Sequence, residues 1–195
     1  MDDKPHQEHP MKNGFTLLEL LVTVAIAATL ILFAVPAFTT LTANNNMTAG
    51  INNFVSGLRA ARAEAVKRDV RVGICPSVNG SACVTDGANW SAGWLIYVDA
   101  DTDGSRGAGE ELIRVGEHDG SPAIRQTAAI PISYQGTGFR SRGQPETVFD
   151  FCDDRGADYA RRVTVNLVGR HTVCHGPKSP GEDKCAVDEL PECGG

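Results

Sequence analysis

A surplus of positive charge is absent from this chain. Lysine and arginine total 18 against 24 aspartates and glutamates, which gives a net charge of -6 at neutral pH. This balance argues against a nucleic-acid-binding protein with a basic surface throughout. Any contact with DNA would have to come from a local cluster of arginines.

The common catalytic motifs are also lacking. Neither a G-x-S-x-G nucleophile motif nor a phosphate-binding loop occurs in the sequence. Two of the five histidines, His6 and His9, fall in the polar segment that opens the chain. We therefore predict that the protein is not an enzyme and uses no cofactor.

Cysteine is missing from the first third of the chain, but six cysteines follow. An even number of this kind predicts disulfides and an oxidising compartment such as the periplasm. A zinc site is the alternative, but no C-x-x-C pair is present, so we predict no metal. The residues such a site would use are Cys174, His175, Cys185 and Cys193. Short loops and neighbouring strand ends favour the pairs Cys75–Cys83, Cys152–Cys174 and Cys185–Cys193.

The N-terminal segment has the most distinctive pattern. Residues 1–14 are polar, and they are followed at once by an apolar run from Phe15 to Val35. A run of about twenty apolar residues can span a bilayer as a helix. Its single ionisable residue is Glu19, and a carboxylate within hydrocarbon costs about 2.5–3.5 kcal/mol, which favours a functional, partnered role. A cleaved secretory signal peptide and a plain anchor are the alternatives, and neither explains Glu19.

The string from Lys12 to Glu19, KNGFTLLE, resembles the processing site of type IV prepilins and type II secretion pseudopilins. The resemblance implies that prepilin peptidase cleaves between Gly14 and Phe15 and that Phe15 is then N-methylated. It also implies that Glu19 neutralises the charged N-terminus of a neighbouring subunit during assembly. Residues 1–14 would then be a leader peptide, with Met1 or Met11 as its start.

Beyond Pro36 the pattern becomes amphipathic, so we predict one long helix from Phe15 to about Lys67. Residues 15–36 would form a membrane or filament-core segment, and residues 37–69 an amphipathic half. Three asparagines from Asn44, and then Gly50, are poor helix formers and would permit a local break. The apolar face comprises Ile51, Phe54, Val55, Leu58, Ala61 and Ala65.

Short β-like runs separated by turn residues fill residues 70–174, followed by a cysteine-containing tail over 175–195. The fold class is therefore α+β, a long helix on antiparallel sheet. The predicted strands are Val70–Cys75, Trp94–Val98, Leu112–Val115, Ile130–Tyr134, Val148–Phe151 and Arg162–Leu167.

This region resembles the FimT/FimU and GspH family over residues 12 to about 174. The resemblance rests on Arg62-Ala-Glu-Ala, Cys75-Pro-Ser, Cys83, Trp90, Gly93-Trp94, Asp99, Cys152-Asp-Asp-Arg-Gly, Arg162-Val-Thr-Val-Asn and Gly169-Arg170. It implies a type IV pilin fold, here in a minor pilin that takes part in assembly initiation near a filament tip. The resemblance also implies a location. The chain would cross the inner membrane once, with its C-terminal domain in the periplasm, and would later enter the pilus filament. The implied partners are minor and major pilins, prepilin peptidase and the inner-membrane assembly platform. A DNA-binding competence pilin and an H-type secretion pseudopilin are the alternatives.

An acidic loop begins at Asp99 and continues through Asp101, Asp103 and Gly104 to Glu110. Its sequence pattern matches that of an EF-hand calcium loop, in which carboxylates at alternate positions ligate the ion. Strand-like runs flank it, however, and a polar hairpin loop would use the same residues for its turns. Both interpretations remain open at this stage.

Some FimT-type pilins are associated with DNA uptake through a Gly-Arg-x-Arg motif after the last strand. The corresponding residues here read Gly169-Arg170-His171-Thr172, so the second arginine is missing. A phosphate-binding patch could still form, but three nearby aspartates would weaken it, and arginines that solvate a strand end are the alternative. The patch would contain Arg161, Arg162 and Arg170, with Arg140 and Arg142 from another loop.

Overall fold

The computed structural model describes residues 14–84, 88–128, 131–141, 143–185 and 193. One α-helix, α1 (Leu17–Arg68), is followed by eight strands. The strands are β1 (Val72–Pro76), β2 (Gly93–Val98), β3 (Leu112–Glu117), β4 (Ala123–Gln126), β5 (Ile132–Tyr134), β6 (Thr147–Cys152), β7 (Arg161–Val165) and β8 (His171–His175). A 3-10 turn at Ala157–Tyr159 separates β6 from β7. The predicted α+β class is confirmed.

The strands form two antiparallel four-stranded sheets rather than one. The order is β3-β2-β1-β5 in the first sheet and β4-β6-β7-β8 in the second. Six of these strands correspond to predicted ones, whereas β4 and β8 were not predicted. The predicted strand start at Ile130 lies outside the described residues, and β7 ends at Val165, two residues before the predicted end.

Helix α1 follows its prediction to within two residues at each end. The helix continues through the three asparagines and through Pro36, so the local break that these residues would permit is not present. Gly50 is buried there, and a Cβ on it would clash with the ring of Pro122. Because glycine has no side chain, the loop between β3 and β4 can pack on the helix at Gly50.

The chain divides into two compact units between Leu41 and Thr42. Within the second unit, one face of α1 packs on both sheets, and all six residues of the predicted apolar face are buried. Phe54 lies at the centre, with its ring centroid 5.4 Å from Trp94 of the first sheet and 4.6 Å from Phe149 of the second. The indole of Trp94 lies so close to Gly57 that a Cβ there would overlap it. Aromatic packing against a helix face therefore holds the sheets together.

Three disulfides connect the strands and the tail. The predicted Cys75–Cys83 pair is present, with its Cα atoms 5.6 Å apart. The other two predicted pairings are wrong, because the structure has Cys152–Cys193 and Cys174–Cys185.

The pairing of strand β8 with the tail explains the observed disulfides. The last residue of the strand, His175, bridges to Lys184, and its backbone N–H donates to the carbonyl of Asp183 at 2.8 Å. This parallel contact sets Cys174 against Cys185 in the adjacent tail. Cys152, at the end of β6, then pairs with Cys193. All six cysteines are in disulfides, so the alternative zinc site has no thiolate available.

Candidate functional site

The start of α1 is set by Thr16. Its hydroxyl oxygen accepts a hydrogen bond from the backbone N–H of Glu19 at 3.2 Å, and its carbonyl accepts one from Leu20 at 3.1 Å. A threonine followed three residues later by glutamate is the sequence of a capping box. This signal was readable in the sequence, and it adds Thr16 to the residues that position Glu19.

Glu19 is exposed in the first turn of α1, where a negative charge interacts favourably with the helix dipole. Just before the helix, Phe15 is 82% exposed, and among the described residues none beyond its chain neighbours lies within 4 Å of where a Cβ on Gly14 would be. The predicted cleavage site is therefore an open segment of backbone that leads directly into a capped helix.

The first half of α1 exposes a nearly continuous apolar surface. It is long and apolar enough to cross a membrane. The threonines within it satisfy their hydroxyls internally; those of Thr39 and Thr40 both donate to the carbonyl of Pro36 at 3.0 Å. Such a surface must be covered by lipid or by other apolar chains. The exposed apolar residues include Leu17, Leu18, Leu20, Leu21, Val22, Val24, Ile26, Leu30, Ile31, Leu32, Phe33, Val35, Phe38 and Leu41.

The acidic loop connects β2 and β3, so strands flank it as the sequence indicated. The carboxylates of Asp99, Asp101 and Asp103 lie within 4.8 Å of one another. Asp99 is fully buried and pairs with the Arg71 guanidinium at 2.7 Å. Burial raises the pKa of the Asp99 carboxyl, an effect that Arg71 opposes.

Glu110 closes the same loop. One of its carboxylate oxygens accepts the N–H of Ala100 at 2.7 Å, and the other accepts the N–H of Gly107 at 2.9 Å. Asp101 and Asp103 likewise accept backbone N–H groups two residues ahead. The carboxylates that match the calcium pattern are thus engaged as acceptors that shape a hairpin loop.

The arginines predicted to bind phosphate do not form one patch. Arg162 makes a bidentate pair with Asp150, with bonds of 2.7 and 3.0 Å. Arg161 is buried, and its guanidinium donates to Ser179 and to Thr48, both at 3.0 Å. Arg170 lies instead in the turn between β7 and β8, at the opposite end of that hairpin. Only Arg170 of these three presents an exposed side chain.

Arg140, from the loop between β5 and β6, does not join Arg170 in a patch either. Arg140 is buried and donates to the carbonyls of Pro145 and Val165 at 2.7 and 3.2 Å. Its role is to fasten the loop between β5 and β6 onto β7. Arg142 lies outside the described residues.

A basic cleft that was not predicted surrounds Arg170. It has a volume of about 360 Å³ and lies between α1 and the turn that joins β7 to β8. Arg59 and Arg62 come from the helix, Arg170 comes from the turn, and His171 begins β8. A spacing of three residues places Arg59 and Arg62 on one side of α1, and this was the available signal. Their proximity to Arg170 depends on the tertiary fold.

Two family models match the chain. The type II transport protein GspH model matches residues 50–169, and the prokaryotic N-terminal methylation motif matches residues 10–35. No curated protein matches.

Two solved structures are similar, both of the type IV minor pilin FimU from Pseudomonas aeruginosa strain PAO1, in different crystal forms. One is 20% identical, covers 72% of this chain and 96% of that chain, and has a TM-score of 0.47. The other is 18% identical, covers 72% and 91%, and has a TM-score of 0.48. Because the GspH model spans more than half of the sequence and the methylation motif spans its start, this chain belongs to the GspH family of type IV pilin-like proteins.

Proposed function

We propose that the chain is a minor type IV pilin that takes part in starting filament assembly and is located at or near the filament tip. Prepilin peptidase cleaves it between Gly14 and Phe15 and methylates Phe15. The mature chain waits in the inner membrane with its domain in the periplasm, and the assembly platform then inserts it among other pilins.

The observation that carries this proposal is the exposed apolar half of α1, which continues without interruption into a helix face buried in the domain. Lipid can cover this half before assembly, and the helices of other subunits can cover it afterwards. Because one continuous helix contributes to both the anchor and the domain core, the same element can serve in the membrane and in the filament.

Glu19 supplies the specificity of that transfer. An unpaired carboxylate among apolar helices is unfavourable, whereas pairing with the positive terminus of a neighbouring subunit offsets its burial. The Thr16 cap holds Glu19 in the first turn of the helix, five residues after Gly14. The charge therefore lies beside the end of the helix, where a neighbour's terminus could approach it.

The first test concerns processing. We expect the membrane-extracted chain to begin at Phe15 and to carry one N-methyl group, as measured by intact-mass and peptide mass spectrometry. Gly14→Val is the test variant, because the space around Gly14 is open and the substitution does not disturb the described fold. This variant should accumulate as an unprocessed precursor in the membrane. A mature terminus near Ala37 would refute the pilin proposal.

A secretion pseudopilin is the nearest competing function, and the description of the matched family favours it. The two functions differ in their loss-of-function phenotypes. Deletion of a minor pilin should abolish surface pili and leave exported enzymes unaffected, whereas deletion of a pseudopilin should do the reverse. The neighbouring genes supply an independent test, because companion minor pilins and secretion components accompany different systems.

DNA capture is the second competing function, and Arg170 in the basic cleft is the observation that favours it. We nevertheless expect the full chain in detergent micelles to bind duplex DNA no more tightly than about 10⁻⁵ M at near-physiological salt, within the usual non-specific range. The reason is that Arg161 and Arg162 are engaged within the fold. Fluorescence anisotropy with Arg170→Ala, and with Arg114→Ala as an exposed control, measures this. Submicromolar, salt-sensitive binding that only Arg170→Ala abolishes would favour the competence pilin.

A further inference from the structure

The basic cleft contains charges that the fold does not neutralise. Within the described ranges, no ion pair involves Arg59, Arg62 or Arg170, and no carboxylate lines the cleft. Four other arginines of the domain do form ion pairs with carboxylates: Arg68, Arg71, Arg155 and Arg162. In a chain of net charge -6, this grouping of unpaired arginines points to an external anion.

The cleft is also preorganised. The Arg59 guanidinium lies 3.1 Å from Nε2 of His171. Because a guanidinium can only donate, that nitrogen accepts, and the imidazole is neutral. Burial and the Arg59 charge both lower the pKa of His171, in agreement with this state. Arg62 donates to the carbonyl of Gly169 at 3.5 Å.

Gly169 allows the β7–β8 turn to pack closely on β5 and on the loop after it. Its φ is 75°, a left-handed conformation that favours glycine. A Cβ at this position would lie only 3.0 Å from the ring of Tyr134 and 3.3 Å from the carbonyl oxygen of Gly138. The floor of the cleft is apolar, formed by Leu58, Tyr134 and Val165, so that a bound anion would be partly shielded from water.

Apolar side chains are exposed beside the cleft. Val66 on α1 and Phe139 on the loop after β5 are 52% and 51% exposed, and Leu167 in the β7–β8 turn is 59% exposed. These three segments lie together, since a Cβ on Gly138 would contact Val66, and the N–H of Arg140 donates to the carbonyl of Leu167 at 3.3 Å. We call this surface the apolar rim.

We propose that the cleft and its apolar rim dock an acidic segment of a neighbouring pilin-like subunit, with one carboxylate held by Arg62 and Arg170. This inference rests on the proposed function, because it requires a subunit partner. Exposed apolar and aromatic side chains beside arginines are typical of protein interfaces. An extended phosphate backbone would instead need a continuous basic stripe, and Arg161 and Arg162 are not available to form one.

The test uses the full-length chain in detergent micelles and three fluorescent probes. These are a short peptide of leucine and glutamate, the same peptide with glutamine in place of glutamate, and a single-stranded oligonucleotide. We expect the acidic peptide to bind at least about tenfold more tightly than its glutamine counterpart, because a charged acceptor makes the stronger hydrogen bond. Arg170→Gln should lose about tenfold, and the matched exposed control Arg114→Gln should lose nothing.

Two further variants keep the result interpretable. Arg62→Gln should also weaken peptide binding, and its thermal unfolding should be measured, since Arg62 also contacts the β7–β8 turn. Leu167→Ser should weaken binding through the apolar rim without altering charge. Equal binding of the acidic and glutamine peptides would overturn the proposal, as would preferential binding of the oligonucleotide.

The N-terminal residue of the same protein preparation, determined by mass spectrometry, tests the proposed function separately from the docking surface. A chain that begins at Phe15 but does not discriminate between the peptides overturns only the docking surface. A chain that discriminates between them but lacks the Phe15 terminus supports the carboxylate site and overturns the pilin proposal.

Discussion

Glu19→Gln is expected to insert into the membrane normally and to reduce incorporation of the chain into filaments at least about tenfold. Glutamine removes the charge but can still serve in the capping box, so helix α1 should begin at the same residue. In the filament, the terminus of a neighbouring subunit would be left without its counter-charge, and breaking such a buried pair costs about 3–5 kcal/mol. The measurement is the ratio of variant to wild-type chain in sheared filaments, normalised to the membrane fraction.

Thr16→Ala is the matched control, because it removes the cap and keeps the charge. Loss of a threonine cap costs a helix about 1 kcal/mol, and lipid or neighbouring helices would still hold the rest of α1 in place. We therefore expect incorporation close to that of the wild type. If Thr16→Ala fails as severely as Glu19→Gln, helix capping rather than charge pairing is the function of this turn.

Phe54→Ala is expected to lower the free energy of unfolding of the domain by about 3–5 kcal/mol, as large aromatic truncations in cores do. Phe54 is fully buried, and its ring contacts Trp90, Trp94, Phe149 and Phe151. The cavity would open where α1 meets both sheets. Denaturant unfolding of the full chain in detergent, followed by tryptophan fluorescence, measures the change.

Phe139→Ala provides the control with the same chemistry at an exposed site. Its ring is half exposed on the apolar rim, so the change in stability should stay within about 0.5 kcal/mol. A small effect at Phe54, comparable to that at Phe139, would mean that the helix and sheets do not share one core. The same control tests whether the apolar rim serves binding rather than folding.

The parts of the fold that could be predicted are those with repeated hydrophobic signals. The apolar run from Phe15, followed by apolar residues at three- and four-residue spacing, extends over many turns, and the predicted helix ends within a residue of the observed Arg68. Strands β1, β2 and β6 were likewise predicted, because they carry consecutive buried residues bounded by turn residues. In each case, burial follows directly from the local pattern.

The two missed strands, β4 and β8, are the two edge strands of the second sheet, where pairing matters more than composition. Strand β4 has four residues and a single fully buried apolar side chain, Ile124. Strand β8 contains two histidines and is only partly buried. Each pairs with a single neighbouring strand, β6 for β4 and β7 for β8. The spacing of apolar residues within such a short strand does not reveal this pairing.

For the candidate sites too, residues that are contiguous in sequence could be predicted, and residues that only the fold brings together could not. Gly14, Phe15 and Glu19 were identified because their motif is contiguous, and their proposed roles remain to be tested. The wrong disulfide pairs and the unpredicted cleft both depend on residues that are distant in sequence. Arg59 and Arg170 line one cleft only because the β7–β8 hairpin returns to the helix, and Cys174 meets Cys185 only because the tail runs beside β8.

The short edge strands have a consequence for the proposed assembly, in which many related subunits would be packed side by side. An exposed strand edge is a template for unwanted pairing with other chains, and it leads to aggregation. Here β5 and β4, at one edge of each sheet, have only three and four residues. Strand β8 is bordered by the bridge to Lys184 and fastened by a disulfide, and β3 carries Arg114 and Glu117. These features disfavour edge-to-edge aggregation with neighbouring domains. Contacts with partner subunits would then be made by side-chain surfaces and not by backbone pairing between strands.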